Sequence, residues 1–324
     1  MDNRRTPTIG DVARLAGVST GTVSRVLNQR AGVHPQTRER VMEVMKRLGY
    51  VPMQAARELT GHSDKVGILL APAVRRYTPY FVLLYEHLTE AFWQEGMRLE
   101  ETPTDAAGLP LTPARGYILL GAHDHDPRME ALQYARVPHV LVGVYPGAFW
   151  VAPDDEEGAY AATRHLLELG HREIAHLTGH PHHQAGRERL RGYRKALEAY
   201  GIPFRPELVL DAEFSTLTAY RVLRRAWEGG LRFTALFAAS DEMALGAMAA
   251  LEDLGRRVPQ DVSLVGFDDL PEVGATLTTV RQEIRQVAQA AAGLLKEAIR
   301  GATPRGVRIP VRLVLRGTTS LREE

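Results

Sequence analysis

The fold class the sequence predicts is a small all-α head followed by an α/β body of two lobes with parallel sheets. Three observations predict it. Residues 1–50 hold three short stretches of apolar residues at helical spacing, punctuated by Gly17, Pro35 and Gly49. From residue 65 onward, short apolar runs alternate with amphipathic stretches, the mark of repeated βα units. The body then runs for about 260 residues, more than one core of ordinary domain size accommodates.

The first helix is predicted to start after Thr8, with Asp11 three positions on in a capping-box arrangement, and to stop at Gly17. It carries Ile9, Val12, Ala13 and Leu15. Ser19 caps a second helix, residues 20–27, with Val23, Val26 and Leu27 inward. A small residue, a glycine and an apolar residue (Ala13, Gly17, Val18) make the tight corner of a helix-turn-helix. Pro35 suits the first turn of a third helix to Leu48, with Val41, Met42, Val44, Met45 and Leu48 inward. Residues 51–64 follow as a short linker in which Ala55, Ala56 and Leu59 sit at helical spacing.

The body, residues 65–324, reads as strands at 66–70, 116–120, 139–144, 174–178, 208–210, 235–239 and 264–267. The helices between them fall at 79–96, 156–169, 187–200, 215–228 and 241–254, with a last one at 283–300. The stretch "TPTDAAGLPLTPAR" is too short and too broken by Pro and Gly for the helical crossover a parallel pair normally needs, so the first lobe is expected to be trimmed.

Composition and charge limit the function. With 44% hydrophobic and 24% charged residues, the chain is an ordinary globular protein. It has no cysteine, which excludes a disulfide framework, a thiol nucleophile and a thiolate metal site. No apolar core follows Met1, so no signal peptide is expected. No stretch approaches the roughly 18 apolar residues of a membrane helix. The net charge of +1 hides an asymmetry: residues 1–62 hold ten Lys/Arg against five Asp/Glu, leaving a mildly acidic body. A basic head on such a body points to a polyanion partner for the head. The motifs GxxxxGK, GxSxG and HExxH are absent, and no nucleophile–base pair is visible, so an enzyme is not expected. His180, His182 and His183 lack a nearby carboxylate and read as a polar loop; no metal and no cofactor are expected.

The stretch "TIGDVARLAGVSTGTVSRVLNQRAGVHPQTRERVMEVMKRLGYVP" resembles the DNA-binding head of the LacI family over about 45 contiguous positions, turn included. The resemblance implies an all-α helix-turn-helix head and assigns DNA contacts. Thr20, Gly21 and Arg25 take the major-groove reading positions, where the Arg25 guanidinium matches a guanine edge. Ser19, Thr22, Ser24, Asn28, His34 and Thr37 match positions that hydrogen-bond phosphates, which fixes register without reading sequence. Thr8 and Tyr50 complete the head's DNA contacts. His34 and Met53 depart from the residues common in relatives. In the family the linker folds on DNA, and two copies meet in one minor groove. Leu59 matches the wedge that opens the central base step and Ala56 the close helix contact.

The body resembles periplasmic sugar-binding proteins and the LacI-family body, through "EEGAYAATRHLLELGHREIAHLTG", "RERLRGYRKALEAYGI", "FAASDEMALGAMAALEDLGRRVPQDVSLVGFDDL" and "LTTVRQ". That implies a ligand held between the lobes at the carboxyl ends of the strands. Tyr80, Phe81, Asp154, Arg189, Phe214, Ser240, Asp241 and Asp268 match, or lie one residue from, effector-contact positions. Flat aromatic faces beside Arg and Asp suit a polyol or small polar ring. The segment beginning Tyr80–Phe81 is similar to the purine-repressor branch, so a purine corepressor is the alternative to a sugar. A solute-binding receptor would lack the basic head, and a sugar-processing enzyme would need catalytic pairs.

The expected function is therefore a repressor controlled by a small-molecule effector, most simply a sugar, acting on pseudo-palindromic double-stranded DNA. Two hinge segments in one groove require a homodimer. No leucine heptads follow "LVLRGTTSLREE", so no tetramer is expected, and the setting is cytoplasmic.

Overall fold

The computed structural model describes residues 9–27, 33–48, 64–71, 78–121, 126–179, 182–273 and 276–322. In the head, α1 (Ile9–Ala16), α2 (Thr20–Leu27) and α3 (Pro35–Leu48) enclose a small core of Val12, Ala16, Val23, Val26, Val41, Val44 and Met45. Gly17 turns the corner with φ +63, a left-handed conformation that penalises a Cβ. The Gly17 and Val18 amides donate to Arg14 and Ala13 carbonyls, which closes the end of α1. The Thr22 amide then donates to Ser19 Oγ at 3.1 Å, capping α2. Two expected core residues face out: Leu15 is 44% and Met42 53% exposed. A helix turns about 100° per residue, which carries Met42 away from the face shared by Val41, Val44 and Met45. Thr8, Asn28, Tyr50, Ala56 and Leu59 lie outside the described residues, as do the Ser24 and Leu27 side chains.

The body is two α/β lobes. The first sheet combines β1 (Lys65–Leu70), β2 (Arg98–Glu101), β3 (Gly116–Leu120), β4 (His139–Val142), β5 (Trp150–Pro153) and β11 (Gly306–Ile309). Its order is β11-β5-β4-β3-β1-β2 with every pairing parallel. The second sheet combines β6 (Ile174–Thr178), β7 (Val209–Asp211), β8 (Ala235–Ala238), β9 (Ser263–Asp268), β10 (Thr278–Gln282) and β12 (Val311–Val314). There the order is β12-β10-β9-β8-β6-β7, and β12 alone runs antiparallel. Helices cover both faces, which is why strands such as "GYILL" and "IAHLT" are buried at every position.

The first lobe packs α4 (Pro79–Gln94) and α10 (Ile284–Ile299) on one face of its sheet, around Phe92, Leu88, Ile118 and Leu295. On the other face lies α5 (Pro127–Tyr134), over Leu69, Tyr117, Leu119 and Leu141. The second lobe packs α6 (Asp155–Glu168) and α7 (Gln184–Ala199) on one face, and α8 (Thr216–Glu228) and α9 (Asp241–Asp253) on the other. The chain crosses between lobes at 153–155, 282–284 and 309–311, so each lobe is assembled from separated stretches of sequence.

Between β2 and β3 there is no helix, as the proline- and glycine-rich segment implied. Residues 102–115 instead fold on themselves. Asp105 Oδ1 accepts from the Ala107 and Leu109 amides, both at 2.9 Å, and Tyr117 Oη donates to Thr112 O at 2.7 Å. Arg128 fills the space beneath, 1% exposed and paired with the fully buried Asp126. Its guanidinium donates to the carbonyls of Leu69, Leu120 and Gly121, satisfying the carboxyl ends of β1 and β3 without solvent. Gly108 permits this, since a Cβ there would lie 3.1 Å from Arg128 Cδ.

Candidate functional site

The carboxyl ends of both sheets face each other across a cavity of about 240 Å³. The first lobe contributes Thr78, Tyr80, Phe81 and Leu84 from the start of α4, with Gly121, Val142 and Gly143 from its strand ends. The second lobe contributes Asp155, His183, Gln184, Glu188, Arg189 and Phe214, with Ser240, Glu242, Asp268 and Gln282. Thr78 Oγ1 caps α4 by accepting from the Phe81 amide, which fixes Tyr80 and Phe81 on the cavity wall.

Arg189 is the centre of the second-lobe wall. It is 5% exposed, and its Nε and Nη2 donate to Asp155 Oδ1 at 2.8 and 2.7 Å. Nη1 donates to Ala239 O and reaches Asp268 Oδ1 at 3.5 Å. The guanidinium lies on the Phe267 ring, 3.7 Å from its centroid. A guanidinium so enclosed is stable only because two carboxylates and a carbonyl satisfy it.

Burial pushes the Asp155 and Asp268 carboxyls up from their ordinary range, opposed by the Arg189 charge. Burial likewise raises the Tyr80 hydroxyl, and the Asp268 charge raises it further. Asp268 sits at φ +119, where a non-glycine residue is strained, and Gln282 Nε2 donates to its Oδ1.

Phe214 is placed by an equally constrained turn. Glu213 and Phe214 both lie in the left-handed region, at φ 53 and φ 50, and Asp211 Oδ1 accepts from the Glu213 amide at 3.1 Å. The ring stacks with His183, centroids 5.9 Å apart, and occupies the space a Cβ on Gly179 would need. Two lobe-to-lobe contacts border the cavity. Gln184 Oε1 accepts from the Val144 amide at 2.8 Å. Arg308, on β11, donates to Glu188, on α7, at 2.7 and 3.0 Å, and also to Pro153 O.

Six of the eight effector residues expected from the sequence line the cavity: Tyr80, Phe81, Arg189, Phe214, Ser240 and Asp268. Asp154 does not. Its side chain accepts from the Glu157 amide at 3.4 Å as the N-cap of α6, and the next residue, Asp155, turns into the cavity. Asp241 also stays out. It is 1% exposed and accepts from the Leu270 amide at 2.8 Å and Thr279 Oγ1 at 2.6 Å, tying the start of α9 to the turn after β9 and to β10. Desolvation pushes its carboxyl up to about 6.

Gln184, Glu188, Glu242 and Gln282 were not singled out by the sequence reading, although "RERL" and "LTTVRQ" contain two of them. Their types carry no distinctive chemistry until the fold turns them inward. Of the three clustered histidines, His183 stacks on Phe214, and His180 lies outside the described residues.

In the head, Thr20, Gly21 and Arg25 are exposed on the face of α2 opposite Val23 and Val26. A Cβ on Gly21 would meet only Ser19 Oγ at 3.7 Å, so packing does not demand glycine there. Ser19 and His34 are exposed and Thr22 and Thr37 half-buried. The Ser19 hydroxyl is 3.0 Å from Thr22 Oγ1, and the His34 carbonyl accepts from the Arg38 amide. Among the described residues, no helix is long and apolar enough to cross a membrane.

Residues 8–53 match the family described as bacterial regulatory proteins, lacI family, and residues 163–319 match the periplasmic binding protein-like domain. The HTH-type transcriptional regulator CelR of Thermobifida fusca is 36% identical over 343 residues, spanning 100% of this chain and 99% of CelR. The chain belongs to the LacI family. A second LacI-family relative, the HTH-type transcriptional repressor PurR of Haemophilus influenzae, is 31% identical over 308 residues, 90% of this chain and 91% of its own. Among solved structures, a transcriptional regulator CelR–cellobiose complex superposes with a TM-score of 0.73 at 31% identity, covering 96% of this chain and 99% of that one. This LacI-family chain is a DNA-binding transcriptional regulator with a helix-turn-helix head and a periplasmic-binding-protein-like body.

Proposed function

We propose that the chain is a cytoplasmic, homodimeric repressor whose operator affinity is set by a sugar held between the two lobes. Residues 1–50 read DNA, 51–64 form the hinge and 65–324 bind effector and partner. The cavity carries this reading. It offers aromatic faces, Tyr80 and Phe81 from the first lobe and Phe214 from the second, with the second lobe's fixed carboxylates and one guanidinium, the pairing that packs the apolar face of a sugar ring while hydrogen-bonding its hydroxyls. The CelR relative is seen with cellobiose, which makes a β-linked disaccharide the first ligand to try.

In the head, Arg25 reads a base, with Thr20 and Gly21 beside it. Thr8, Ser19, Thr22, Ser24, Asn28, His34, Thr37 and Tyr50 hold the backbone, while Leu59 and Ala56 act in the minor groove. Thermal melting of the full chain with cellobiose, other sugars and purine bases tests the effector class. A sugar should raise the melting temperature of the parent protein. Arg189→Ala and Asp268→Ala should each lose that shift, because a ligand hydroxyl loses a charged partner. A shift given only by a purine base, in line with the PurR resemblance, sinks the sugar assignment.

A further inference from the structure

In an all-parallel sheet every strand starts at the same end of the lobe, and the helices that precede those strands finish there. In the first lobe this is the end at which the chain arrives from the linker, because β1 begins at Lys65. Its charges are strongly biased. Four cations are matched by acids. Arg98 pairs with Asp64 at 2.8 Å, Lys65 with Glu100 at 3.0 Å and Arg305 with Glu297 at 2.7 Å; Lys296 pairs with Glu95. Three more, Arg115, Arg136 and Arg300, form no ion pair among the described residues.

Two of the three, Arg115 and Arg300, converge with Lys296 and its partner Glu95 on one depression of about 80 Å³ that Met97 and Ile299 also line, leaving two cations there unmatched. Helix electrostatics account for part of this. Lys296 and Arg300 stand at the carboxyl end of α10, where a cation offsets the negative pole. Arg115 precedes β3 and borders the same two carboxyl ends, those of α4 at Glu95 and α10 at Arg300, but Arg136, at the start of the β4 approach, lies outside that depression. Unmatched cations on an exposed surface raise the local potential and draw anions to it.

We infer that this end of the first lobe is a second DNA surface, in which Arg115, Arg300 and Arg136 hold backbone phosphates flanking the hinge. The inference rests on the operator reading proposed above. If Leu59 sits in the minor groove, six Cα-to-Cα steps separate it from Lys65, a contour of about 20 Å. That tether is short enough for the basic end to reach the phosphates beside the hinge, and the contact has to be a close one, since exposed charges farther apart than about 8 Å are largely screened at physiological salt. The contacts are to phosphate alone, so they add affinity and salt dependence and no sequence preference.

The test is the salt dependence of DNA binding by the full chain, on a cognate site selected from random sequence and on a scrambled duplex. In Arg115→Ala/Arg300→Ala the slope of log affinity against log salt should become shallower by about one for each phosphate contact removed. The change should be equal on both duplexes, with the melting temperature unaltered. Charge reversal, Arg115→Glu/Arg300→Glu, should weaken both further. A slope unchanged in both variants overturns the inference. So does a result in which inorganic phosphate raises the melting temperature of the DNA-free parent, but not of the variants, while the slope stays the same. That outcome would make the depression a small-anion site. A parent protein with no preference for any selected site would sink the operator reading instead; the slope on scrambled DNA would still decide this one.

Discussion

His176 sits on β6 with 0% exposure, stacked between Tyr193 and Phe237 at centroid distances of 5.1 and 4.7 Å. Its Nδ1 lies 3.0 Å from Phe237 O, and Nε2 has no hydrogen-bond partner among the described residues. Burial pushes the imidazole down from 6.5 to about 4. A base whose folded value lies below its unfolded one favours folding in the neutral form. The contribution is complete above pH 6.5 and is lost as pH falls toward 4, a total of roughly 3 kcal/mol. Asp155, Asp241 and Asp268 act in the opposite sense, since raised carboxyls bind protons more tightly in the folded chain. The parent therefore shows only the sum. His176→Phe keeps the stack and removes one component. Urea unfolding across that range should show the variant gaining stability relative to the parent as pH drops. A constant difference between the two would mean the imidazole does not titrate as its burial requires.

At the scale of elements, α2 presents Thr20, Gly21 and Arg25 on one exposed stripe, and only Arg25 has a long donor side chain. Arg25→Ala should weaken binding to the cognate site by about 1–3 kcal/mol and leave scrambled DNA nearly untouched. Fluorescence anisotropy on the two duplexes measures both. Equal losses would reduce Arg25 to a phosphate contact.

Legibility also varies by element. Strands β3 and β6 could be read to the residue, because runs buried on both faces leave no ambiguity of period. Helix α5 went unread: its "PRMEALQY" buries only Met129 and Leu132, too short an apolar stripe to stand out, and the buried Arg128–Asp126 pair completes its seat on the sheet. The edge strand β2, "RLEE", carries one apolar residue and takes its conformation from pairing with β1. At the cavity the strand ends could be found but not the side that each neighbour faces. Asp154 and Asp155 are adjacent acids, and only the start of α6 decides which one caps and which one turns inward.

On the scale of the molecule, the two lobes need not stand alone. The exposed face of α4 carries Val82, 55% exposed, and Trp93, 69% exposed, while Leu217 on α8 and Leu245 on α9 are 55% and 39% exposed. Apolar residues left on both lobes fit the proposed two-fold partner, which would cover them. Sedimentation equilibrium of the full chain should give about twice 35.9 kDa at micromolar concentration. A stable monomer with operator present, or a tetramer without it, contradicts the proposal.

The three lobe crossings also bear on how the protein is made. The first sheet receives β11 only from residues 306–309, and its core is closed by Ile284, Val287, Ala291 and Leu295 of α10. A chain emerging from the ribosome thus completes its head first, then the second lobe's sheet apart from β12, while the older lobe waits with one apolar face uncovered. A segment synthesised after β6–β10 of the second lobe finishes the lobe begun earlier. Nascent chains stalled before residue 284 should therefore hold a protease-sensitive first lobe beside a protected head. Premature termination before residue 284 then yields a sticky chain, and a shorter regulator is not among its products.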